Sequence, residues 1–122
     1  MASEAVHRAG AIANRDHAER LLATYPTDPT ALRWVVTATF YSALHAMSAY
    51  LVSRGIVAEN HGDRNLALAN PANAVPPHVY AAYQFLQRRS VGARYHLRTF
   101  TPADVRRLLD DKLSVIFSFV GL

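Results

Sequence analysis

With 122 residues, 51% of them hydrophobic, and few Gly or Pro, the chain is expected to form one domain over 1–122 with a sizeable core. It has no cysteine, which excludes disulfide frameworks, cysteine-bound zinc and thiol nucleophiles. Its formal charge of +4 rests almost entirely on arginine, with Lys112 the one lysine; arginine forks suit phosphate or carboxylate, and a GC-rich genome would give the same bias without a functional cause.

The segment from Ser3 to about Tyr25 predicts an amphipathic helix with Ser3 as its N-cap. Its core side reads as Val6, Ala9, Ala13, Ala18, Leu21 and Leu22. Its wet side reads as His7, Arg8, Arg15, Asp16, His17, Glu19 and Arg20, with His7 and His17 as surface histidines lacking a partner at metal-ligand spacing. The opening residues MASEAVHRAG contain no apolar run like that of a signal peptide, and the cytoplasm is the expected location.

Pro26 and Pro29 break the chain before its central stretch, WVVTATFYSALHAMSAYLVS, from Trp34 to Ser53. No charge interrupts this run. Asp28 can cap it, Pro29 can fill the first helical position, and Gly55 can stop it in the left-handed conformation. The run is about as long as a bilayer is thick, but its six Thr, Ser and His residues favour a helix buried among helices over a membrane span. Thr37, Tyr41, His45 and Ser48 form a polar stripe at helical spacing. It needs partners, either internal hydrogen bonds or a polar cleft or subunit interface. Small residues at Ala38, Ser42, Ala43, Ala46 and Ala49 would let another helix approach closely, which points to a homodimer.

Loops follow Gly55, around a short helix near Asp63 to Ala69 that His61 introduces. After Pro76-Pro77 the next helix is expected from about His78 to Arg88 or Arg89, with Val79, Tyr80, Tyr83 and Leu86 facing the core. Gly92 then releases the chain into ARYHLRTF, read as a linker. Arg88, Arg89, Arg94 and Arg98 have no acidic neighbour in this stretch, which makes it a solvated loop or an anion site. Thr101 and Pro102 open the last helix, with Val105, Leu108, Leu109, Leu113, Ile116, Phe117 and Val120 inward and Arg106, Arg107, Asp110, Asp111 and Lys112 outward. No strand is indicated, and the expected fold is all-α: an antiparallel four-helix bundle with one short extra helix.

No phosphate loop, dinucleotide fingerprint, zinc-binding helix motif or nucleophile elbow occurs. What remains is RSVGARYH, where Arg89 could hold a phosphate and His96, after six intervening residues, could move protons near neutral pH. The alternative for His96 is an exposed loop histidine.

FYSALHAMSAYLVSRGI followed by His61, and later ARYHLRTFTPADVRRLLDDKLSVIFSFV, together resemble a HEPN domain over most of the chain. The resemblance implies a helical bundle, commonly a homodimer, and in many members a metal-independent ribonuclease that needs no cofactor. It would make Arg89 and His96 catalytic, the arginine on the phosphate and the histidine on the ribose 2′-hydroxyl. Arg88, Arg94, Arg98 and Tyr95 would bind RNA or a nucleotide, with Tyr41, His45 and His61 supporting them. Ser90 follows Arg89 where active members usually carry Asn, Asp or His, and Pro102 starts the last helix after His96. The resemblance therefore implies equally a non-catalytic module that binds a nucleotide or a partner such as a nucleotidyltransferase.

Overall fold

The computed structural model describes residues 2–122 and is all-α, with no strand among the described residues. Helix α1 is Glu4–Thr24, α2 Pro29–Ser53, α3 His61–Ala69 and α4 Pro77–Tyr95, with a single 3₁₀ turn at Pro71–Asn73 before α4. A last helix, α5, covers 102–120 in three continuous parts, Pro102–Arg107, Leu108–Leu113 and Ser114–Val120.

The helix starts follow local chemistry. The side chains of Ser3, Asp28 and Thr101 each accept a hydrogen bond from the backbone of the first turn, and Thr101 and Asp104 form a reciprocal capping box. Pro29 and Pro102 occupy first-turn positions where a missing N–H is harmless. Gly55 turns the chain away from α2 at φ 73°. Arg8 donates to the carbonyls of Val120 (3.0 Å) and Gly121 (2.7 Å), so α1 supplies a cation to the negative end of α5.

Helix α2 is the centre, with α1, α4 and α5 packed against it. Val35, Val36, Phe40, Met47 and Leu51 are fully or almost fully buried, beside Tyr83 and Leu86 of α4 and Val105 and Ile116 of α5. This helix is long and apolar enough to cross a membrane by length and composition, and 78% of its most apolar window is buried inside the protein. Packing therefore accounts for its apolarity. Trp34, at its start, lies outside this core and is 60% exposed.

Three sequence expectations need correction. On α1 the buried residues are Ala11, Ala18 and Leu22, whereas Val6, Ala9 and Ala13 are exposed and His7 is half-buried. Close helix contact explains the rotation. Ser42 Oγ donates to the Ala11 carbonyl at 2.7 Å, and a Cβ on Gly10 would lie 3.2 Å from the His45 ring. Only a seam of small residues permits this approach, so it displaces the more apolar Val6 side. Ser42 is thereby occupied by α1 of the same chain, and Ala38, Ser42, Ala43, Ala46 and Ala49 are all buried.

The second correction concerns α4, which runs to Tyr95 instead of ending at Arg88 or Arg89. Gly92 stays helical. A Cβ there would sit 3.3 Å from Arg98 Cδ, so the missing side chain makes room for the Arg98 stem rather than stopping the helix. The chain reverses afterwards at Leu97, held at φ 49°, and the Arg98 N–H returns to the Gly92 carbonyl at 3.0 Å. The third is inside α5, where Leu108–Leu113 has the wider i→i+5 hydrogen bonding of a π-helix.

Candidate functional site

Positive charge gathers where the second half of α4 meets the first half of α5. Arg89 of α4, Arg98 and Thr99 of the connecting loop, and Arg107 and Lys112 of α5 line a cleft of ≈ 150 Å³ with Phe85, Phe100 and Leu108 as apolar walls. The local backbone explains the convergence. In a regular α-helix Arg107 and Lys112, five residues apart, would diverge by about 140°, and the π-helical turn between them brings both to one face. Gly92 admits the Arg98 stem, as above.

Aromatic rings hold three of these cations in place. The Arg89 guanidinium lies 4.6 Å from the Phe85 ring centroid and the Lys112 ammonium 4.8 Å from the same ring, while Arg98 sits 6.0 Å from Phe100. The cleft contains one carboxylate, Asp104, which is committed to the helix cap: its Oδ2 accepts from the Thr101 N–H at 3.1 Å. Hydrogen bonds with Thr101, reinforced by Arg107 and then Arg89, hold that carboxyl below the ordinary carboxylate range. Four cations thus share one preoccupied anion. Drug-sized ligands need roughly 300 Å³ or more, so this volume suits a phosphate or diphosphate group rather than a whole nucleotide.

His96 does not line this cleft. It is the C-cap of α4, and because the intervening residues are helical, it lies about 10 Å along the axis from Arg89. Arg89 leans toward the helix N-terminus, over Phe85, which points its guanidinium away from His96. The two residues therefore do not form a joint site within the chain. Arg88 is exposed and also lies outside the cleft.

The remaining residues singled out from sequence gather around the polar stripe of α2. Arg94 donates to Tyr41 Oη at 3.1 Å and to Tyr95 Oη at 3.5 Å, with its guanidinium 5.5 and 5.0 Å from the two ring centroids. His45 Nδ1 lies 3.1 Å from Nδ1 of His7, and the exposed His61 has its ring 5.9 Å from that of Phe40. His7 was expected on the surface; α1 is rotated so that it meets the stripe instead. Among the described residues no three His, Asp or Glu side chains converge as a metal site.

Burial, followed by the nearby positive charge of Arg64, holds His7 below its ordinary 6.5, and the same causes act on His61 with Arg94 added. For His45 burial comes first, then His7, then Arg64. A bond between two Nδ1 atoms needs one protonated and one bare nitrogen, so double protonation breaks it. An unfolded chain takes up these protons near pH 6.5 while the folded chain resists them. Stability is accordingly full above about pH 6.5 and declines as pH falls below it. Urea titrations from pH 8 to 5 should show this decline, and His7→Gln should flatten it; an equally steep profile in that variant would remove the histidine pair as its cause.

The fold and cleft together define an all-α protein with a cationic, phosphate-sized recess. Comparison with known proteins finds no matching family model, no matching curated protein and no matching solved structure.

Sequence reasoning reached Arg89 and Arg98 of the cleft but assigned Arg107 and Lys112 to a solvated face. Their spacing of five matches neither helical period, so no local signal joined them.

Proposed function

We propose that the chain is a HEPN-like module, in the four-helix arrangement with a short extra helix, that binds the phosphates of RNA or nucleotides without cleaving them. The observation that carries the reading is the cleft itself: Arg89, Arg98, Arg107 and Lys112 around a single capped carboxylate. Guanidinium groups donate in parallel pairs to phosphate oxygens, and cations preset against aromatic rings lose little freedom on binding. Binding is favoured over cleavage because phosphodiester transfer needs a proton-moving group beside the phosphate, and the Arg89 guanidinium points away from His96, which lies outside the cleft.

The homodimer belongs to this proposal through the resemblance alone. The small residues of α2 no longer support it, being buried within the chain. Exposed Trp34 and Leu97, which border one groove with Arg33 and Arg94, offer one apolar surface to a second copy or to a nucleotidyltransferase partner.

Single-stranded RNA incubated with the protein in chelator should be retarded in a native gel and recovered intact, and His96→Ala should bind as the parent does. Light scattering of the same sample should give twice the 13.5 kDa chain mass. Cleavage that disappears in His96→Ala would overturn the non-catalytic reading, and a monomer would remove the dimer from it.

A further inference from the structure

Arg64 sits in the first turns of α3 and is only 9% exposed, yet no carboxylate among the described residues pairs with it. Buried charges are ordinarily paired, because an uncompensated ion loses its hydration without return. Two of its five N–H donors have acceptors: Nε donates to Ser48 Oγ at 3.2 Å, and one terminal nitrogen meets Nδ1 of His61 at 3.5 Å. Tyr83 Oη lies nearby, fully buried and without a hydrogen bond of good geometry; burial pushes its hydroxyl up to about 12, partly offset by Arg64. Even with the Tyr83 hydroxyl counted as a weak acceptor, two of the five N–H donors of the guanidinium still lack one.

Arg64 lines a small cleft of ≈ 40 Å³ with His7 and Ser48, closed on its other sides by Leu51, Val52, Ile56 and Ala58. The polar groups here are all able to donate. Ser48 Oγ accepts from Arg64, which leaves its own O–H to give, and a His7 ring that accepts from His45 at Nδ1 carries its proton on Nε2. No carboxylate lines the cleft, and the apolar walls strengthen any charge interaction made inside. The volume is a little more than the ~30 Å³ share of one liquid water, which admits the charged oxygens at the end of one small group and excludes a nucleoside.

We propose that Arg64, Ser48 and His7 form a binding site for a single oxyanion group, a phosphate or a carboxylate, where α1, α2 and α3 meet. The site shares no residue with the Arg89 cleft and stands or falls without it. Inorganic phosphate and, separately, acetate are titrated into the protein at fixed ionic strength while the histidine ring resonances are followed by NMR. A saturable shift of the His7 and His45 rings is expected, preserved in Arg89→Ala/Arg107→Ala. Response to phosphate alone identifies a phosphoryl site, and response to acetate identifies a carboxylate site. Arg64→Gln should weaken the effect roughly tenfold or more, the loss of a charge-assisted donor set. Ser48→Ala should weaken it too, and serves if Arg64→Gln does not fold. Rings that respond to neither anion, or a response of undiminished affinity in a folded Arg64 or Ser48 variant, would overturn the proposal.

Discussion

Phe40→Ala should lower folding stability by about 3–5 kcal/mol, a large part of the roughly 5–15 kcal/mol available to a domain of this size. Phe40 is 0% exposed at the middle of α2, with the rings of Tyr41, Tyr83 and His61 at centroid distances of 5.5, 5.6 and 5.9 Å. Tilted aromatic contacts of this kind add to simple area burial. Truncation leaves a cavity between α2 and α4 that neither helix can close without disturbing its packing against the other helices. Urea unfolding should show a lower midpoint at an unchanged slope. Trp34→Ala, on the same helix but at an exposed position, should change stability by no more than about 0.5 kcal/mol. Equal losses in the two variants would contradict the placement of α2 at the centre.

The parts of this fold that were legible in the sequence are those whose cause is local. Ser3, Asp28-Pro29, Gly55 and Thr101-Pro102 mark helix ends because capping and backbone constraints act within a few residues, and each is found as expected. The inward face of α5 was legible from Val105 to Phe117 because bulky residues recur at helical spacing. What escaped depends on distant neighbours. Hydrophobicity favoured Val6 as the inward side of α1, but the close approach to α2 selects Gly10 and Ala11. Gly92 reads as punctuation until Arg98 is seen to need its space. The polar stripe of α2 was correctly marked as needing partners. Those partners, His7 for His45 and Arg64 for Ser48, come from other helices, and nothing in the local pattern names them.

The second large effect concerns the cationic cleft, where Arg89→Ala/Arg107→Ala removes two of its four positive charges. Both residues line the cleft from the side chain only: Arg89 rests on Phe85, and Arg107 is exposed, so the fold should survive their loss. If each cation meets one phosphate, the cleft seating one or two and the exposed Arg98 and Arg107 reaching their neighbours along a single-stranded RNA, log affinity falls with log salt at a slope of about 2.8, at ~0.7 per contact. Raising salt from 50 to 200 mM then weakens the parent protein roughly 50-fold, and the double variant only about sevenfold. Arg88→Ala/His96→Ala changes two exposed residues outside the cleft and serves as the control.

The most direct measurement is fluorescence anisotropy of a labelled single-stranded RNA against these three proteins across that salt range. The account predicts a steep salt slope for the parent and the control and a slope about half as steep for Arg89→Ala/Arg107→Ala. Parallel slopes for all three, or no binding by the parent at 50 mM salt, would contradict phosphate recognition by the cleft.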